Sequence, residues 1–220
     1  MDPQQRPTNS FDPNKPLFPE EEVNPRMHLI KKIGQSLTGT LGLVIAAPLL
    51  ALFLTAHIFQ PYEVDGASME TTLQNTDRLI VFKLPKTWAN ISGGDYRPSR
   101  GDVIVFDRPK QLNASARTEH LIKRVIGLPG ERVVIKEGTV TVYNAEKPDG
   151  FNPDKGMDYS GDIVTTPGQV DITVGRSEVF VLGDNRTNST DSRVFGPISD
   201  EIIVGKAVTR FLPLNKMTKL

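Results

Sequence analysis

LIKRVIGLPGERVVIKEGTVTVY, residues 121–143, holds three short runs of β-branched and apolar residues separated by turn signals. Leu121 to Ile126, Arg132 to Lys136 and Thr139 to Tyr143 read as strands by composition and length. Between the first two, Leu128-Pro129-Gly130-Glu131 puts Pro second and Gly third, the positions where a type II turn fixes φ and requires φ > 0. Between the second and third, Glu137-Gly138 leaves a two-residue connection suited to a tight hairpin. Strands joined by such a hairpin run antiparallel. The same reading extends to Arg78–Leu84 (RLIVFKL), Asp102–Phe106 (DVIVF), Glu178–Leu182 (EVFVL) and Ile202–Phe211 (IIVGKAVTRF). Residues 61–220 are therefore expected to form one mainly β, antiparallel domain. Residues 144–177, broken by Pro148, Pro153 and Pro167, are expected to be a loop-rich insertion in it.

Upstream the pattern changes twice. Residues 1–33 begin with prolines at 3, 7, 13, 16, 19 and 25 and an acidic run Glu20-Glu21-Glu22, a composition that buries too little apolar surface to fold. From Gly34 to Tyr62 no side chain carries a formal charge, and Leu41–Phe59 reads LGLVIAAPLLALFLTAHIF. That run approaches the ~20 residues a helix needs to cross a bilayer, so residues 34–60 are expected to be one transmembrane helix. No polar face recurs at helical spacing, which disfavours a buried core helix. The long stretch ahead of the run and the lack of a small-x-small site after it disfavour a cleaved leader. Arg26, Lys31 and Lys32 precede the run and the next basic residue after it is Arg78, which puts the N-terminus in the cytoplasm and residues 61–220 on the outer face.

Composition narrows the chemistry. Lys and Arg total 26 against 26 Asp and Glu, a formal net charge of zero, so no basic surface for nucleic acid is expected. There is no cysteine, hence no disulfide, thiolate metal site or Cys nucleophile, and the three histidines, His28, His57 and His120, are too scattered to suggest a metal pair. Catalysis would have to use Ser, Thr, Lys, Asp or Glu, with no cofactor or metal.

Four segments carry a resemblance: VDGASMETTLQNTDRLIVFKL (64–84), RGDVIVF (100–106), HLIKRVIGLPGE (120–131) and VFVLGDNRTNSTDSRVFGP (179–197). Together with one preceding span they resemble the bacterial type I signal peptidases, membrane serine proteases that remove signal peptides from exported preproteins. The first segment alone would also suit the LexA-like self-cleaving proteases, but the N-terminal part offers an apolar span instead of a DNA-binding module. A membrane-anchored β-domain binding protein without activity is the rival of another class. The resemblance makes Ser68 the nucleophile and Lys123 its general base. Ser189 would bond the lysine amine, and Asp191 with Arg193 would brace the site as a salt bridge. Val64 and Met69 would help form shallow apolar pockets for a preprotein bound as an added strand. It implies a lipid bilayer and preprotein signal peptides as partners and a cell membrane as location, with an internal membrane such as a thylakoid also compatible.

The chemistry demands a neutral lysine, because an ammonium has no lone pair to accept the serine proton. In a strand, Lys123 shares a face with Leu121 and Val125, so its amine emerges among apolar groups that disfavour the charge. Arg124 lies on the other face and stays protonated. His120, three residues away, is expected on the face opposite Lys123, as a surface or strand-edge residue. Asp184, Asn185 and Arg186 are assigned to loop structure. Two positions depart from the family pattern: Thr71 stands where Pro is usual, and Thr76 where Gly is frequent.

Overall fold

The computed structural model describes residues 42–54, 58–70, 72–93, 96–109, 120–159 and 163–220. The Pro-rich tail, the first part of the expected span and Thr71 lie outside them. The chain divides into two compact units, residues 1–50 and 51–220. A helix, α1, occupies residues 42–54, and apolar side chains along it stand open, Leu43 at 69% exposure and Phe53 at 54%. Among the described residues no helix is long and apolar enough to cross a membrane. Nor does helix extend to residue 60 as expected: Phe59–Glu63 is strand β1. Phe59 and Gln60 are drawn into the sheet by pairing with Phe82 and Val81, by a Phe59–Phe82 ring contact at 5.3 Å, and by a 3.0 Å hydrogen bond that the Lys83 amine donates to Gln60.

The remaining elements are β2 (Arg78–Phe82), α2 (Leu84–Ser92), β3 (Val103–Asp107), β4 (His120–Gly127), β5 (Arg132–Lys136), β6 (Thr139–Tyr143), β7 (Val170–Thr173), β8 (Glu178–Leu182), α3 (Ser192–Phe195), β9 (Ile198–Ser199), β10 (Ile203–Leu212) and β11 (Thr218–Lys219). All pairings are antiparallel. The large sheet runs β1-β2-β10-β3-β4-β8-β9 with β11 on β10, and a small one runs β6-β5-β7. The insertion at 144–177 thus contributes a strand: Val170 and Ile172 alternate inward against β5 and pack on its apolar face, a pattern too short to stand out among the prolines.

Both turns take the expected form. Gly130 has φ +82° and the Glu131 N–H donates to Leu128 O, while Glu137 and Gly138 both have positive φ beneath the Lys136–Thr139 pair. Strand β3 is buried on both faces, Val103 and Val105 in one apolar cluster and Ile104 and Phe106 in another, which is why VIVF reads as unbroken apolar sequence. Strand β4 matters most for function. Its last residues, 124–127, pair with β8, while 120–123 pair with β3 alone, leaving one backbone edge open among the described residues.

Candidate active site

Ser68 lies on the loop from β1 to β2. The loop is pinned at its base by Val64 N–H to Asp77 O (2.8 Å) and Thr76 N–H to Val64 O (2.9 Å), and by Gly66 N–H to Asn75 Oδ1 at 2.9 Å. Met69 and Leu73, 1% and 0% exposed, plug it into the core. Gly66 has φ +98°, conformational territory that glycine enters freely and a side chain would strain. Thr76 occupies the same left-handed region, φ +69°, so the departure from glycine keeps the turn and stores strain in it. Thr76→Gly is therefore expected to raise stability by about 1 kcal/mol, the relief of a β-branched left-handed residue less the entropy glycine adds to the unfolded chain. Urea unfolding of the two proteins measures it.

Lys123 projects from β4 beside this loop. It is 3% exposed, and its Nζ lies 2.7 Å from Ser68 Oγ and 2.9 Å from the Ile122 carbonyl oxygen. Burial lowers its pKa from 10.5 to about 8, against the opposing pull of the Asp191 and Asp184 carboxylates. A neutral amine in this position accepts the Ser68 hydroxyl hydrogen and donates to Ile122. Because the folded value lies below the unfolded one, folding expels a proton between about pH 8 and 10.5. The buried lysine thus costs about 3 kcal/mol of stability at neutral pH, a penalty that fades as pH rises toward 10.5.

The Gly183-Asp184-Asn185 loop closes over Ser68. Asn185 donates its backbone N–H to Ser68 O and its side-chain Nδ2 to Ala67 O, both at 3.1 Å. With those carbonyls held, the Ser68 N–H has no protein partner among the described residues and is free to meet an oxyanion. A Cβ at Gly183 would collide with Ser68 O and Ser189 Oγ, so the close approach requires glycine. Asp191, wholly buried, accepts the Gly183 N–H at 3.0 Å and is held by Arg193 through two 2.8 Å contacts.

Ser189 departs from expectation. Its hydroxyl is buried beside Gly183 without a hydrogen-bond partner and does not bond the lysine, whose contacts go to Ser68 and Ile122. Val64 and Met69 belong to the core and line a pocket of about 110 Å³ next to Ser68, with residues 62–65 on one wall and 120–123 on the other. His120 lies at this pocket too, its Nδ1 3.0 Å from Asp107 Oδ1.

Sequence reasoning missed what lies beneath. Arg124 is not a spectator: 5% exposed, it grips Asp184 at 2.8 and 2.6 Å, donates to the Gly101 carbonyl at 2.7 Å and stacks under Tyr159 at 3.8 Å. Thr72 donates to the same Asp184 at 2.6 Å. Arg186 binds Asp154 at 2.6 and 2.5 Å and Thr166 at 2.7 Å, tying residues of the 144–177 segment to the loop over Ser68. The available signal was the density of Asp and Arg in one motif; nothing in the spacing pointed to Asp154. Among the described residues no group of three metal-ligating side chains occurs.

A buried amine against a loop serine, beside an unengaged backbone N–H, is the equipment of a serine hydrolase whose base is lysine. Residues 37–212 match the family model described as signal peptidase, peptidase S26. A signal peptidase I of Leptolyngbya laminosa is 34% identical over 218 residues, covering 97% of this chain and 94% of that protein. One from Bacillus licheniformis is 32% identical over 184 residues, 80% and 89% of the two chains. A crystal structure of a signal peptidase I from Enterococcus faecalis V583, 28% identical, covers 50% of this chain and 95% of that one with a TM-score of 0.38. The chain belongs to the S26 signal peptidase family, whose members are serine endopeptidases.

Proposed function

We propose that the chain removes N-terminal signal peptides from exported preproteins, with Ser68 as nucleophile and Lys123 as general base. The 2.7 Å contact between a buried amine and the Ser68 hydroxyl carries this reading. Ser68 Oγ attacks the scissile carbonyl as its proton passes to Lys123 Nζ, and the oxyanion meets the Ser68 N–H. The C–N bond breaks, Lys123 returns the proton to the departing amine, and the peptide remains as an ester on Ser68. Lys123 then takes a proton from water, whose oxygen attacks the ester, and returns it to Ser68 Oγ as the C–O bond breaks and the acid is released. Asp191, Arg193 and Ser189 support the loop around the pair. No step calls for a cofactor or metal.

The preprotein enters as a strand. Val64 spends both backbone groups on residues 76 and 77, so in extended backbone those of Glu63 and Asp65 face the other way, toward the open edge of β4 at 120–123. A peptide between the two pairs with both, its small side chains over Val64 and Met69. The apolar stretch from residue 34 up to strand β1 supplies the membrane anchor, with 1–33 as a cytoplasmic tail and the chain from β1 onward as the outward peptidase domain. The open apolar side chains of α1 are suited to lipid, and the nine positions from Phe59 to Ser68, at ~3.3 Å each, keep the serine within ~30 Å of the anchor.

The test is cleavage of a preprotein by the full-length protein in lipid vesicles, with the product mass locating one cut after the signal sequence. An intact substrate overturns the proposal in favour of a binding protein. The pH profile is a second check: kcat/KM is expected to rise tenfold per pH unit until about 8 and then level off, as Lys123 loses its proton. An acid limb near 6.5 would point to a histidine base instead.

A further inference from the structure

Two cavities flank Ser68. One is the groove already described; the other, of about 280 Å³, lies across the Gly183–Asn185 loop and is bordered by Glu70, Asn185 and Thr187. Asn185 joins the two, since it bonds the carbonyls of Ala67 and Ser68 and also lines the second cavity. Glu70 is equally close. Its N–H donates to Ala67 O at 3.2 Å, closing a turn whose ends lie within ~7 Å of each other.

The sheet dictates what reaches this cavity. Strand β8 pairs with β4 from Arg124 onward, with Arg124 opposite Leu182, so the edge that is open at 120–123 ends at Lys123. A peptide with its upstream residues on that edge finds no strand to pair with its downstream residues. Past the scissile bond it must leave the sheet where β8 runs into the Gly183–Asn185 loop, and the second cavity lies on the far side of that loop. The first downstream residue supplies the leaving nitrogen at Ser68. The second, ~3.3 Å further along extended backbone, stands over the cavity.

The cavity has an uneven charge. Asp184 and Arg186, the buried members of its lining, are each matched by an opposite charge, Arg124 and Asp154. Glu70 is exposed, and among the described residues no basic side chain pairs with it. Val164, 95% exposed, adds an apolar rim. A side chain with an aliphatic stem and a cationic head suits both, its stem on Val164 and its head at Glu70.

We propose that Glu70 selects the charge of the second residue downstream of the scissile bond, favouring Lys or Arg there over Asp or Glu. This rests on the Ser68 and Lys123 reading and concerns the released chain, not the signal peptide.

The experiment uses two preproteins identical except for Lys or Glu at that position, and reads the ratio of their kcat/KM values, in which any general loss of activity cancels. The unmodified protein is expected to prefer Lys about fivefold at low salt, the size of an exposed charge contact, and to lose the preference near 1 M salt, where screening acts beyond ~3 Å. Glu70→Gln is expected to abolish the preference and Glu70→Lys to invert it. A ratio that Glu70→Lys leaves unmoved overturns the proposal. So does a charge preference that Glu70→Lys shifts only for residues upstream of the bond. Cleavage persisting in a Ser68→Ala control overturns the active-site reading instead, so the two failures are distinguishable.

Discussion

Lys123→Met and Ser68→Ala are each expected to lose about 10⁴- to 10⁶-fold in kcat for preprotein cleavage, and the double variant scarcely more, because in the proposed mechanism nucleophile and base act as one unit. Lys123→Arg is equally inactive, since a guanidinium keeps its proton at any working pH. What separates a catalytic role from a structural one is the sign of the stability change. The buried amine costs the fold about 3 kcal/mol at neutral pH through its pKa of about 8. Methionine, unbranched and uncharged, fills the same space without that cost. Lys123→Met is therefore expected to unfold at higher denaturant concentration than the parent at pH 7, with the advantage shrinking toward pH 10, while its activity is gone. A lysine that merely held the structure together would lose both properties. Denaturant titrations at the two pH values and a cleavage time course decide between these outcomes.

The strands and turns were legible because each had a local cause. The turn at 128–131 and the hairpin at 137–138 follow from glycines that enter positive φ freely, and β3 from a run too apolar to face water on either side. Strands β7 and β1 were not legible. Val170 and Ile172 are two alternating residues between turn formers, and Phe59–Glu63 (FQPYE) carries Gln60, Pro61 and Glu63 right after the apolar run, so only pairing with β5 and β2 makes them strands. At the site, Ser68 and Lys123 could be picked out through the motifs that flank them, which says nothing of their 55-residue separation in sequence closing to 2.7 Å. The depth of Arg124 was hidden by a correct but insufficient rule. It does lie on the face opposite Lys123, yet that face is also covered, by Tyr159 from the segment that reads as loop. A strand's alternation tells which residues share a side; what packs on that side is decided by parts of the chain far away.

The Arg124–Asp184 pair gives the largest expected effect on stability. Both side chains are about 95% buried, and Asp184 also holds Thr72 in the stretch that follows Ser68. Removing either partner strands a charge in a dry site, so Arg124→Met and Asp184→Asn are each expected to cost about 3–5 kcal/mol. For a unit of this size that lowers Tm by roughly 10 °C or more. The double replacement Arg124→Met with Asp184→Leu, which leaves no stranded charge, is expected to recover most of the loss, as a coupled pair requires. The two single variants, alike in stability, part in their chemistry. The Asp184 carboxylate holds the Lys123 pKa up, so Asp184→Asn, which also leaves the Arg124 cation unneutralised, lowers it and moves the acid limb of kcat/KM below pH 8. Arg124→Met leaves Asp184 uncompensated and moves the limb above 8. Equal losses in Tm with pH profiles displaced in opposite directions would identify the pair as both the clamp beneath the nucleophile loop and the electrostatic setting of its base. Profiles displaced in the same direction would reduce it to the clamp alone.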